Sequence, residues 1–179
     1  MGELIYRELQ RHQAYLLGRI DRSERIDGIY RSMGGALKLN ASQTETVGAW
    51  QASELAVLVS RLEALMTSGG HAYGAWNALE IVGVAALDVS GVNGDSTVLK
   101  LDMLYVSAGY RGRGIGRKLT DLLAAEARSR GGQYLYISAT PTRNTVDAYL
   151  NMGAELLDAP DPELLAREPD DIHLVLRLS

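Results

Sequence analysis

The chain has 179 residues, 18 Lys and Arg against 22 Asp and Glu, a formal charge of -4 and no cysteine. That length suits one domain over residues 1–179 with a real core, and the composition excludes disulfides, thiol nucleophiles and thiolate-held metals. The acidic balance argues against a nucleic-acid-coating protein, and no leader or bilayer-spanning apolar run is visible, so a soluble cytoplasmic protein is expected, with neither nucleic acid nor membrane as partner.

Leu4 to Leu9 reads as a first strand and Gln10 to Ile20 as a short helix, broken by Asp21-Arg22-Ser23-Glu24. Ile26 to Leu39 reads as extended chain with a hairpin at Gly34-Gly35, and polar Asn40 to Gly48 as a loop. From Ala49 to Met66, apolar residues recur at spacings of three and four, the mark of an amphipathic helix. Ala72 to Trp76 and Ile81 to Val89 are strands around a tight turn. Val98 to Val106 is apolar on both faces, as a central strand would be. Ile115 to Arg130 is a second amphipathic helix stopped by Gly131-Gly132. Tyr134 to Ser138 is the next strand, Thr145 to Asn151 a short helix ended by Gly153, and His173 to Leu178 a closing strand. Pro160 to Asp170, with three prolines and many acids, reads as loop. Mixed strands and helices favour an α/β or α+β sheet covered by helices.

The segment Tyr110-Arg111-Gly112-Arg113-Gly114-Ile115-Gly116-Arg117-Lys118-Leu119 joins the central strand to the second helix. Glycines let backbone approach a ligand closely, and a helix N-terminus points unpaired N–H groups at anions. Four cations in the same stretch strengthen a phosphate-binding reading. The P-loop fingerprint fails, because Gly116 is followed by Arg117-Lys118. The dinucleotide fingerprint also fails, because the glycines fall at alternate positions. A glycine-rich turn with solvent-facing arginines is the plain alternative.

From Val98 to about Glu155 the chain resembles the GNAT superfamily of acyl-CoA-dependent N-acetyltransferases. Leu99 to Val106 resembles that family's fourth strand, Arg111 to Gly116 its pyrophosphate loop, Leu135 to Ala139 its fifth strand, and Asn144 to Tyr149 with Met152-Gly153-Ala154 its helix and turn. The resemblance implies a mixed, mostly antiparallel sheet with helices on both faces and splayed fourth and fifth strands. It implies acetyl-CoA as cofactor, held by backbone N–H groups of Arg111, Gly112, Arg113, Gly114, Ile115, Gly116 and Arg117, with charge from Arg111 and Arg113. Leu104, Tyr105 and Val106 would line the pantetheine arm. Asn144 would contact that arm or orient the loop, although Thr142 holds the position at which many relatives carry their asparagine. Homodimers are common in the family, so a homodimer is a further expectation.

Acetyl transfer to an amine needs a proton donor for the leaving thiolate. The resemblance gives Tyr149 that role, and a phenol of pKa about 10 is protonated at neutral pH. The base candidate is Asp102, which strict alternation places on the face of Leu104 and Val106. A carboxylate satisfied by a neighbouring Arg is the plain alternative, and Tyr105 or water could serve instead. Asp21 and Glu24 are candidates to meet a cationic acceptor, and Trp50 and Trp76 to line its slot. His12, His71 and His173 show no metal spacing. The expected function is transfer of acetyl from acetyl-CoA to a primary amine of a small molecule. Modification of a protein N-terminus or lysine, and a non-catalytic acyl-CoA sensor, are the alternatives.

Overall fold

The computed structural model describes residues 3–179. Nine strands form in chain order: β1 (Leu4–Glu8), β2 (Glu24–Met33), β3 (Ala36–Val47), β4 (His71–Asn77), β5 (Glu80–Asp88), β6 (Val98–Val106), β7 (Tyr134–Ala139), β8 (Glu155–Leu156) and β9 (Ile172–Arg177). Four α-helices intervene: α1 (Ala52–Thr67), α2 (Ile115–Ser129), α3 (Arg143–Met152) and α4 (Pro162–Arg167). Arg11–Arg19 forms a 3-10 helix.

Seven strands make one sheet in the order β1-β4-β5-β6-β7-β9-β8. All named pairings in it are antiparallel except β6 with β7. Two apolar layers sandwich the sheet. One joins α2 and α3 to Leu99, Leu101, Leu135 and Ile137. The other joins α1 and the 3-10 helix to Ala72, Val84, Ala86 and Met103. Gly18 permits close packing of that 3-10 helix, since a Cβ there would stand 2.9 Å from Leu55 Cδ2.

Two segments differ from their sequence reading. Residues 40–47, expected as loop, continue β3, which pairs with β2 as a separate two-stranded ribbon. The ribbon is exposed along most of β3, so its strand carries no alternating apolar signal. Residues 162–167, also expected as loop, form α4. Asp161 caps it by accepting from the Glu163 and Leu164 amides, and Pro162 stands in its first turn, where a missing N–H costs nothing.

Leu119 is fully buried between α2 and the sheet. Leu119→Ala is expected to cost about 3 kcal/mol of stability. Urea unfolding should show this as a lower midpoint with an unchanged slope.

Candidate active site

The loop Arg111 to Gly114 turns sharply into α2. Gly112 and Gly114 hold positive φ angles of 72° and 76°, where a side chain would be strained. No side chain caps α2, and its first backbone bond runs from the Lys118 amide to the Gly114 carbonyl. The preceding amides of the first turn therefore point out of the helix, as an anion site requires. A Cβ on Gly116 would lie 3.8 to 3.9 Å from Leu104, Met152 and Val106, so the bare glycine leaves room against these side chains.

The neighbouring sheet is open. Parallel pairing of β6 with β7 runs only from Val98↔Tyr134 to Leu101↔Ile137, although both strands continue. The parting coincides with a bulge. Ala86 pairs with Met103 and Leu87 with Leu101, which leaves Asp102 as the extra residue. Leu99 and Leu101 pack on the α2 side, Met103 and Tyr105 on the α1 side, and Leu104 and Val106 on the α2 side again. The Ser107 amide donates to the Val82 carbonyl of β5. Alternation then turns the Leu104 and Val106 backbone groups toward the gap. The Val106 carbonyl there accepts from Arg111 Nε at 3.0 Å.

The bulge corrects the placement of Asp102. It does not share a face with Leu104 and Val106 but points to α1, where Arg61 donates to both carboxylate oxygens at 2.9 and 2.6 Å. Lys100 Nζ lies 3.3 Å from the same carboxylate. Strict alternation fails because the extra residue resets the count.

Tyr149, from α3, is 6 % exposed and packs in the α2-side layer. Burial, and next the charge of Tyr105, raise its hydroxyl above the ordinary phenol range. Burial also raises Tyr105, so both are phenols at neutral pH. Trp50 stands edge-on to Tyr105, with ring centres 5.2 Å apart, and Arg22 stacks 4.6 Å from the Trp50 ring centre.

Other candidate residues serve the chain itself. Arg111 also donates to the Ser23 and Arg22 carbonyls at 3.0 and 3.1 Å, so it staples the 22–24 segment to β6. Asp21 accepts from the Ser23 amide, and hydrogen bonding from the Ser23 side chain first and its amide second holds the Asp21 carboxyl below the usual range. Glu24 accepts from Asn144 Nδ2 at 2.8 Å, which binds β2 to the start of α3. Arg113 donates to the Gly109 carbonyl, and Arg117 to that of Asn151. Trp76 lies on β4, separated from β6 by β5, buried beneath the Arg7 guanidinium. Of the two tryptophans, Trp50 borders the gap.

A cleft of about 700 Å³ lies between the β2–β3 ribbon and residues 156–173. Tyr30, Arg31, Glu45, Asp170, Asp171 and His173 are among its lining residues. Tyr30 reaches α3 by donating to Asp147 at 2.8 Å. His173 bonds Tyr136 through Nδ1 and the Glu168 carbonyl through Nε2, and burial lowers its pKa, so it adds no charge at neutral pH. Asp171 is pushed up to about 6, first by burial and then by Glu168. Sequence reasoning missed Arg61 and Asp171. A lone Arg within an amphipathic helix and an Asp in an acidic tail carry no local signal.

A family model for the acetyltransferase (GNAT) family matches residues 38–154. Over half the chain lies in that match, and the chain belongs to the GNAT acetyltransferase family. Its fold is shared with nourseothricin acetyltransferase at a TM-score of 0.72 and 20% identity, covering 98% of this chain and 99% of that one. A Bacillus anthracis str. Ames protein crystallised with acetyl coenzyme A aligns at a TM-score of 0.73 and 15% identity over 99% of both chains. The ribosomal-protein-S18-alanine N-acetyltransferase of Escherichia coli aligns at 0.63 and 14% identity over 99% of this chain and 95% of that one. No curated protein sequence matches significantly.

The raised Asp171 fixes the sign of one pH effect. Its ordinary value is 3.8 and its folded value about 6. Below the ordinary value both states are protonated and nothing is lost. As pH rises toward the folded value, the unfolded chain ionises first and folding is penalised. Asp171→Asn should match the parent protein at low pH and exceed it by about 1 kcal/mol at neutral pH, after discounting for partial solvent screening. Thermal unfolding across that range reads the difference.

Proposed function

We propose that this acetyltransferase transfers acetyl from acetyl coenzyme A to a primary amine of a cationic small molecule, by direct attack in a ternary complex, with residues 1–179 acting as one domain. The observation that carries this reading is the uncapped start of α2 beside a sheet that parts at Leu101↔Ile137. Bound acetyl coenzyme A supplies an activated acetyl thioester. Backbone amides from Gly112 to Arg117 hold its pyrophosphate. The Leu104 and Val106 backbone lines the gap for its pantetheine arm. Arg111 shapes this site through carbonyl contacts, so the anion grip falls mainly on amides and on the field of α2.

Tyr149 is the proton donor in this reading. Its raised pKa keeps the proton on the oxygen until a stronger base, the departing thiolate, forms beside it. The amine is held by the cleft between the β2–β3 ribbon and residues 156–173. Its nitrogen bonds to the acetyl carbon as the carbon–sulfur bond breaks. The acceptor has already given its ammonium proton to water. The sulfur takes the Tyr149 proton, and the proton the nitrogen sheds on bonding returns through water to the Tyr149 phenolate.

The 700 Å³ cleft supports a small acceptor, since drug-sized sites occupy about 300–1,000 Å³. Its acids support a cationic one. The Asp171 carboxylate feels the acids Glu168 and Asp170 against the single cation Lys100, so an ammonium placed there would be favoured. The shared fold with a nourseothricin acetyltransferase agrees with this reading.

Thiol release against a panel of amines tests the reaction. Coenzyme A should appear only when acceptor is present, and binding without turnover would favour the sensor. Tyr149→Phe should lower kcat on the order of 10²-fold, with the acetyl-CoA dissociation constant nearly unchanged. Equal losses in both would remove Tyr149 from the chemistry. For the acceptor, Asp171→Asn should raise KM for bis(3-aminopropyl)amine about tenfold while leaving KM for octylamine unchanged. Parallel changes for both amines would dissociate the cleft from recognition.

A further inference from the structure

We propose that Arg61 is a positioning residue for acetyl transfer, locking the β6 bulge in register through Asp102 and so holding open the gap between β6 and β7. The inference rests on the acetyltransferase reading above but concerns a residue with no part in the chemistry.

A bulge is a one-residue slip, and a slip elsewhere in β6 would be a competing register. Moving the extra residue to Met103 would pair Asp102 with Ala86 on its present face, whereas moving it to Leu101 would pair Asp102 with Leu87 and send it to the opposite face, into the layer of Leu87, Ile137 and Leu119. A carboxylate there would lie unpaired in an apolar layer, which is costly. In the observed register its side chain is 6 % exposed, and both oxygens meet the guanidinium fork. Two parallel bonds fix orientation as well as distance, which a single ammonium contact does not.

The fork is itself anchored. Leu62, the next residue of α1, is fully buried against the sheet. Glu168, just after α4, lies 3.9 Å from Arg61 Nη1 and 3.8 Å from Lys100 Nζ. The charged or titratable groups around the pair are thus Lys100, Glu168 and Tyr105. With its oxygens engaged by Arg61 and Lys100, Asp102 is a register lock and not the base.

The test compares Arg61→Met, Arg61→Lys and Asp102→Asn with the parent protein. In the ligand-free protein, Arg61→Met should raise amide hydrogen exchange across residues 102–106 and leave α2 unchanged. Acetyl-CoA affinity should weaken about tenfold and kcat fall by a similar or larger factor, since a misplacement of ~1 Å costs as much as 10²-fold. Asp102→Asn should give similar losses, the double variant no further loss, and the pH profile of kcat should keep its shape. Arg61→Lys, which keeps the charge without the fork, should fall between and serves as the reading if Arg61→Met fails to fold.

Unchanged exchange with unchanged acetyl-CoA affinity in the Arg61 variants would overturn the proposal. So would an Asp102→Asn enzyme with normal acetyl-CoA affinity and a lost acidic limb, beside an Arg61→Met enzyme of normal kcat; that pattern makes Asp102 the base. A parent protein that binds no acetyl-CoA would instead defeat the acetyltransferase reading, while the exchange measurement would still decide for or against the lock.

Discussion

One extra residue in β6 divides this sheet into a closed half and an open half. Below Asp102, β6 and β7 pair in parallel and their side chains fill a continuous core. Above it the strands diverge, and the Leu104 and Val106 backbone faces a gap instead of a neighbouring strand, with the Val106 carbonyl taken by Arg111 Nε. Unpaired strand edges inside a sheet are unfavourable unless something satisfies them. The start of α2 packs there, with Gly116 set against the Leu104 and Val106 side chains, so the bulge is the constraint around which this part of the sheet is arranged.

The site is assembled by contacts between distant segments. Arg111 fastens the 22–24 segment to the end of β6, Glu24 fastens the same segment to α3, and Tyr30 fastens the ribbon to α3. These cations and acids spend their hydrogen-bonding capacity on shaping the pocket. In the function proposed above, backbone amides would be the anion donors, a fixed array that needs no reorganisation when charge arrives.

Elements with strong periodicity were legible from residues alone. Strand β6 appears with the limits expected, and α1 and α2 begin or end within three residues of their expected bounds. The glycine turn was legible because positive φ at Gly112 and Gly114 demands that residue type. The ribbon strand at 40–47 was not, because a strand exposed on both sides has no alternation to read. Helix α4 was hidden because Pro162 was read as a breaker, when after Asp161 it marks a helix start. Asp102 was assigned to the wrong face for a third reason. A bulge leaves no trace in the pattern, and only the pairing with β5 reveals that the count slips. The Arg61 contact spans 41 residues, and no local rule reports it.

The Arg111 staple has a consequence for how the chain folds. Its bonds to Ser23 and Arg22 close loops of 88 and 89 residues. During synthesis the early segment emerges long before Arg111 does, and until then only nearer partners such as Val47, Gly48 and Glu54 can hold it. Contacts of such separation form late and slow the whole reaction. The Arg111 contacts at this turn are therefore expected among the last to form, and newly made chains should acquire their core before the turn is fastened.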